Sequence, residues 1–145
     1  MSSQIIRRAV TLDAPELVRL TVLLGYPSSL PVIEARLTRI LDSADDCLLV
    51  AEDASGALIG WIHGFLSQLL ESEYRVEIGG LIVDERYRRI GLGRRLVERI
   101  EAWARERGAA ELSVRCREER AESHQFYESL SFRQTKTQRV FRKRL

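Results

Sequence analysis

Cysteine is nearly absent: Cys47 and Cys116 are the only two in 145 residues. They are too few for a disulfide framework and lack the spacing of a metal knuckle, so a reducing cytoplasmic setting and no metal centre are expected. Long apolar runs are missing as well. Nothing approaches the ~20 residues of a membrane span, and the opening residues MSSQIIRRAV have no apolar core of an export signal. Nor does one sign of charge prevail. The 23 lysines and arginines face 21 acids, a net charge of +2, which argues against a general nucleic-acid or membrane binder and leaves any pull on anions to local patches. Repeats, low-complexity tracts and linkers are also lacking. What is present is a globular balance, 45% apolar and 30% charged, in a length that suits a single domain over residues 1–145.

Periodicity divides that length into alternating elements. Residues 4–10 read as a strand. A helix follows to Gly25, with Leu17, Leu20, Val22 and Leu24 near one face, and a second starts at about Pro31 with Ile33, Leu37, Ile40 and Leu41 at helical spacing. Residues 47–53 and 57–66 flank "ASG" as a hairpin, and 74–84 form the next strand. Leu92, Leu96, Ile100 and Trp103 recur at about one helical turn until Gly108. A strand over 111–116, a short helix over 119–130 and one or two closing strands in the tail complete the order β α α β β β α β α β β. That order predicts an α/β mixed sheet with helices on its faces. Strands 74–84 and 111–116, each followed by a helix, are expected side by side and parallel.

Between Asp84 and Leu96 the sequence DERYRRIGLGRRL holds five arginines and two glycines. A strand end, a tight turn and a helix start form an anion site, because first-turn amides have no partners inside the helix and carry partial positive charge. Glycines let a ligand approach the backbone, and arginines add forked contacts. The dinucleotide fingerprint needs a further glycine and a first βα unit, and the P-loop needs Gly-Lys-Ser/Thr; both fail here.

Arg88-Arg89-Ile90-Gly91-Leu92-Gly93 resembles the (Q/R)-x-x-G-x-(G/A) segment of the GNAT superfamily of N-acetyltransferases. SHQFYESLSF is similar to that family's second signature, a helix with a Phe-Tyr pair. The resemblance implies a GNAT fold, a central mixed sheet of six to seven strands flanked by about four helices, with parallel strands splaying at a cofactor cleft. It also implies acetyl-CoA, its pyrophosphate on Arg88, Arg89, Ile90, Gly91, Leu92, Gly93 and Arg94, and its pantetheine arm along the backbone of Leu81, Ile82 and Val83. Departures are Ser131, where the family usually has glycine and where strain at the helix end is expected, and Arg120, where many members have asparagine.

Acetyl transfer to an amine needs a neutral nucleophile, a polarised carbonyl and a proton for the leaving thiolate. Glu77 precedes Val83 by six residues, roughly 20 Å at strand rise, and by simple alternation shares parity with Gly79, Leu81 and Val83. The resemblance makes Glu77 the general base, with amine anchor and plain strand charge as the other readings. It makes the amide of Gly80 or Leu81, in a bulge, the group that polarises the carbonyl. Tyr127 becomes the acid that protonates the thiolate, core packing being its other reading. His63 reads as a packing or cleft-wall residue, and His124 as a helix-surface one. Tyr26, Trp61, Glu71 and Tyr74, with Glu73, are expected as acceptor walls suited to a cation. The acceptor is a small-molecule or peptide amine, a protein lysine or N-terminus is an alternative, and an acyl-CoA-binding module without turnover is the rival. A homodimer is left open.

Overall fold

The computed structural model describes residues 4–145; residues 1–3 of the expected domain lie outside them. The chain divides into two compact units, one ending at Val114 and the other Arg115–Leu145.

In the first unit, β1 (Ile5–Arg8), β2 (Asp46–Glu52), β3 (Leu58–Ser67), β4 (Arg75–Val83) and β5 (Glu111–Val114) form one sheet in that order. The first four pair antiparallel, and β4 and β5 pair parallel as expected. Helices α1 (Ala14–Leu23) and α2 (Leu30–Asp42) cover one face. Leu17, Leu20, Ile33 and Leu37 join Leu48, Val50, Leu58 and Ile82 there in one buried cluster, with Trp61 packed against it. Val22 stands apart from the expected stripe, being 52% exposed. At 100° per residue it falls well off the line of Leu17 and Leu20. Gly25, at φ +90°, ends the first helical segment where glycine has no Cβ penalty.

The other face belongs to α3 (Leu92–Glu106). Leu92, Leu96, Val97, Ile100, Trp103 and Ala104 are buried at spacings that keep them on one stripe. The fit is tight: a Cβ on Gly64 of β3 would sit 3.0 Å from Ile100 Cγ2.

A polar clasp joins β1, β2 and the entry to α1. Arg7 donates to both Asp13 oxygens at 2.9 Å and to Glu52 Oε2 at 3.2 Å, while Asp13 also accepts the Val10 amide. Burial raises the Asp13 carboxyl, but the Arg7 hydrogen bonds, the Val10 amide and the Arg7 charge outweigh it and hold it below its ordinary value. The lowered carboxyl stabilises the fold above about pH 4 and ceases to do so as pH falls through the lowered value. Asp13→Asn should therefore cost about 1.5–3 kcal/mol in urea unfolding at pH 7. The gap from wild type should shrink at pH 3; a gap independent of pH would contradict the clasp.

The second unit holds α4 (Ala121–Ser129). It closes with Ser131 N–H on Glu128 O and Phe132 N–H on Tyr127 O, both 3.1 Å, the paired bonds of a Schellman turn. The Tyr127 and Phe132 rings meet 5.3 Å apart across it. Such a turn puts its linking residue in the left-handed region, and Ser131 sits there at φ +72°, the strain that the missing glycine implies. The expected closing strands are not formed: no described residue after Val114 is in a strand, which leaves five strands rather than six or seven. The tail is mostly polar, and its apolar residues are exposed, Phe141 at 87%, so no buried face sets a register.

Ser131→Gly removes a left-handed penalty of about 1–2 kcal/mol, partly offset by the entropy of glycine in the unfolded chain. A net gain of about 0.5–1 kcal/mol, read as a higher melting temperature, is expected. A loss would show that the serine side chain holds this turn.

Candidate active site

The site is built around one irregularity in β4. His63 of β3 pairs with Gly80, but the next residue, Gly64, pairs with Ile78. Gly79 is thus an extra residue, a β-bulge of the kind expected at the double glycine. The parity expected for Glu77 does not survive it. Glu77 lies opposite Phe65 and Ile82 opposite Trp61, and Trp61 and Phe65 share a face of β3, so Glu77 shares its face with Ile82 instead of Leu81 and Val83. Ser113 of β5 is the other neighbour of Glu77.

The bulge also marks where the parallel pair opens. The register of β4 with β5 runs from Arg75–Glu111 to Ile78–Val114 and stops. From Gly79 to Val83 that edge of β4 has no strand partner among the described residues. The backbone of Leu81 and the amide of Val83 are thereby available to an extended polar ligand, whereas Val83 O accepts from Arg88 and the Ile82 side chain is committed to the core.

Both glycines are needed sterically. A Cβ on Gly80 would lie 2.6 Å from the Trp61 ring, and one on Gly79 would lie 3.3 Å from His63 Nδ1 and Phe65 Cε1. Two polar atoms on this face are buried without a partner, the Trp61 indole nitrogen and Ser113 Oγ. Orphaned donors of this kind call for a ligand or water.

At the far end of β4, Asp84 accepts the Arg86 amide at 3.0 Å and caps a short 3-10 turn over Glu85–Tyr87. The Arg86 hydrogen bond, outweighing burial, holds the Asp84 carboxyl below its ordinary value. Tyr87 Oη donates to Asp53 Oδ2 at 3.1 Å, so the loop is tied to the hairpin between β2 and β3. Gly91 then caps α3 at φ +82°, with no side-chain capping bond and nothing within 4 Å of its Cβ position. Arg95 N–H to Gly91 O is the first bond of the helix, so the preceding amides, Gly91 to Arg94, point out of it. The arginines are mostly engaged: Arg86 with Asp84, Arg88 with Val83 O, Arg94 with Glu98 and Arg95 with Gln4. Arg89, at φ +67°, is exposed.

An open cavity of about 580 Å³ lies at the start of β4, lined by Leu70, Glu71, Ser72, Glu73, Tyr74, Arg75 and Glu111. It gathers Glu71 and Tyr74 from the expected acceptor walls but not Tyr26 or Trp61. Glu111, which bridges Arg75 at 3.2 Å, was not singled out from the sequence, because its place depends on parallel pairing across distant residues. In the second unit Tyr127 is buried, and burial, with Cys116, raises its phenol well above the ordinary range. Cys47 is buried and Cys116 exposed, both as free thiols. Among the described residues no cluster of His, Cys, Asp or Glu could hold a metal, and no helix is long and apolar enough to cross a membrane.

Residues 18–132 match the Acetyltransferase (GNAT) family. The chain belongs to that family. Over 97% of its length it is 28% identical to an aminoglycoside N(6')-acetyltransferase type 1 of Stenotrophomonas maltophilia, covering 94% of that protein. Among solved structures, the aminoglycoside 6'-N-acetyltransferase AAC(6')-Ih of Acinetobacter baumannii superposes with TM-score 0.88 at 20% identity, covering 99% of each chain. The CoA complex of AAC(6')-Iy superposes with TM-score 0.89 at 20% identity, over 100% of this chain and 97% of that one. The bulged, splayed β4 is thus the cleft of a GNAT fold.

Gly80→Ala should push the Trp61 ring aside. A loss of about 1–3 kcal/mol of stability with a shifted tryptophan emission is expected. Unchanged emission and stability would mean that the two do not touch.

Proposed function

We propose that the chain transfers an acetyl group from acetyl-CoA to a primary amine of a small molecule or peptide, by direct attack. The release of β5 from β4 at Ile78, one residue before the Gly79 bulge, carries this reading. It leaves a strand edge for an amide-bearing arm in line with outward amides at Gly91. The orphaned Trp61 and Ser113 atoms fit a polar guest on the same face.

Acetyl-CoA supplies the acetyl group as an activated thioester. The amides from Gly91 to Arg94 hold its pyrophosphate, with Arg88, Arg89, Ile90 and Leu92 around them, and Leu81 to Val83 pair with its arm. The amide of Gly80 or Leu81 at the bulge polarises the carbonyl. Glu77 takes a proton from the acceptor. Burial keeps the Tyr127 phenol protonated, which suits a donor to the departing sulfur. Three carboxylates in one cavity, Glu71, Glu73 and Glu111, favour an acceptor with several cationic amines, the type of substrate named for the relatives. The family match runs across the junction of the two units, which supports one acetyltransferase domain over residues 1–145.

Acetyl-CoA at millimolar concentration should raise the melting temperature by mass action, and a free-thiol assay over a panel of amines should show turnover greatest with polyamines and aminosugars. Glu77→Gln should lower kcat by about 10²–10⁴ without altering the thermal shift. Binding without turnover for every amine would favour an acyl-CoA-binding module, and no thermal shift would sink the cofactor assignment.

A further inference from the structure

From sequence His63 is a packing or cleft-wall residue rather than a base, but its surroundings give it more to do. Its side chain is 21% exposed on the face of β3 that carries Phe65, two rungs from the pair of Phe65 and Glu77. Nε2 lies 2.7 Å from Asp46 Oδ1. Asp46 sits on β2 opposite Phe65, so its carboxylate reaches diagonally across the sheet to the ring. An ionised carboxylate accepts only, so at this distance it fixes the ring proton on Nε2 and leaves Nδ1 as a lone-pair acceptor. Nδ1 faces the bulge, 3.3 Å from where a Cβ on residue 79 would stand. A side chain at residue 79 would stand against it, at the point where the register of β4 with β5 ends.

We propose that His63 is a second catalytic residue for the acetyl transfer set out above, on which this inference rests, and that Asp46 is its positioning residue. An acceptor that arrives as an ammonium ion sheds two protons before it becomes an amide. Glu77 takes the first, which frees the nitrogen lone pair. His63 Nδ1 takes the second as the nitrogen–carbon bond forms, and Asp46 stabilises the imidazolium. The carbon–sulfur bond breaks with its electron pair on sulfur, which takes a proton from Tyr127. Once Tyr127 has regained a proton, one proton passes to solvent for each amide made. Asp46 of β2 touches the ring, Glu77 of β4 stands on the same face opposite Phe65, and the opposite partners of His63, Leu48 and Gly80, carry no charge.

The test pairs kinetics with a readout that needs no turnover. His63→Gln should lower kcat by about 10²–10⁴ and leave the thermal shift with acetyl-CoA intact. Asp46→Asn puts an amide donor on Nε2 and so moves the ring proton to Nδ1. Long-range proton–nitrogen NMR of the free protein should show the Nε2–H tautomer in wild type and the Nδ1–H tautomer in Asp46→Asn. The kcat of Asp46→Asn should fall nearly as far as that of His63→Gln, and Asp46→Ala, with no donor to impose the wrong tautomer, should lose less. If wild type turns over while His63→Gln stays within twofold of it, the assignment of His63 is wrong and the acetyl-transfer reading stands. A wild-type Nδ1–H tautomer also overturns it. If wild type turns over no amine, both fall together.

Discussion

One inserted residue in β4 decides which of its side chains share a face of the sheet. A regular strand would place Glu77 and Ile82 on opposite faces, one over α3 and the other under α1 and α2. The bulge at Gly79 puts them on the same face, so Ile82 anchors the strand in the α1–α2 core while Glu77 remains half-buried further along that surface. The added twist of a bulge suits the opening of the parallel pair at the same point. Glycine is required by space here rather than by φ: Trp61 fills the room beside Gly80, and His63 and Phe65 border that beside Gly79. The ladder hydrogen bonds lost at the opening are a cost that exposed backbone recovers from water, and a polar ligand can recover in its place.

The arginine-rich loop works differently from what its composition suggests. Four of its five arginines hold the protein itself, on Asp84, Val83 O, Glu98 and Gln4. The exposed ones, on Val83 O, Glu98 and Gln4, are each worth little, but together with the buried Asp84 and with Tyr87 they determine the path by which the chain leaves β4 and enters α3. What they present is a row of helix N-terminal amides behind Gly91, whose pull on an anion comes from the aligned backbone. An exposed guanidinium is screened by water and salt within about 10 Å, whereas an amide pinned at a helix start is already oriented. The pull on an anion at the start of α3 thus rests on backbone geometry, with the exposed Arg89 two residues before Gly91.

Much of the architecture was legible in the sequence because its signals are local. The stripe of α3, the ASG hairpin, the left-handed stop at Gly25 and the strain at Ser131 each depend on a few neighbouring residues. The parallel pairing of β4 and β5 followed from connection rules. Two kinds of feature were not legible. Parity across Gly79-Gly80 depends on whether the extra residue is absorbed as a bulge, which is decided by the partner strand. The pairing of His63 with Asp46, and the meeting of Glu111 with Arg75, depend on strand register between distant segments. The tail differs as well: Val140 and Phe141 suggest a strand, yet both are exposed and no described residue after Val114 is in a strand.

The placement of groups along one sheet face separates what must be rigid from what can vary. Glu77, His63 and Asp46 stand on three adjacent strands whose register is fixed by buried neighbours, Val76 and Ile78 on β4, Ile62 on β3 and Cys47 on β2. Displacing any of them means slipping a strand against the core. The carboxylates of the acidic cavity are held less firmly, Glu71 and Glu73 by a connecting segment and only Glu111 by a strand. Substitutions in residues 70–74 can therefore alter the charge and shape offered to an acceptor without disturbing the register that aims His63 at the bulge. The three side chains on the strands are thus set by pairing against the core, whereas the cavity wall is set largely by a loop.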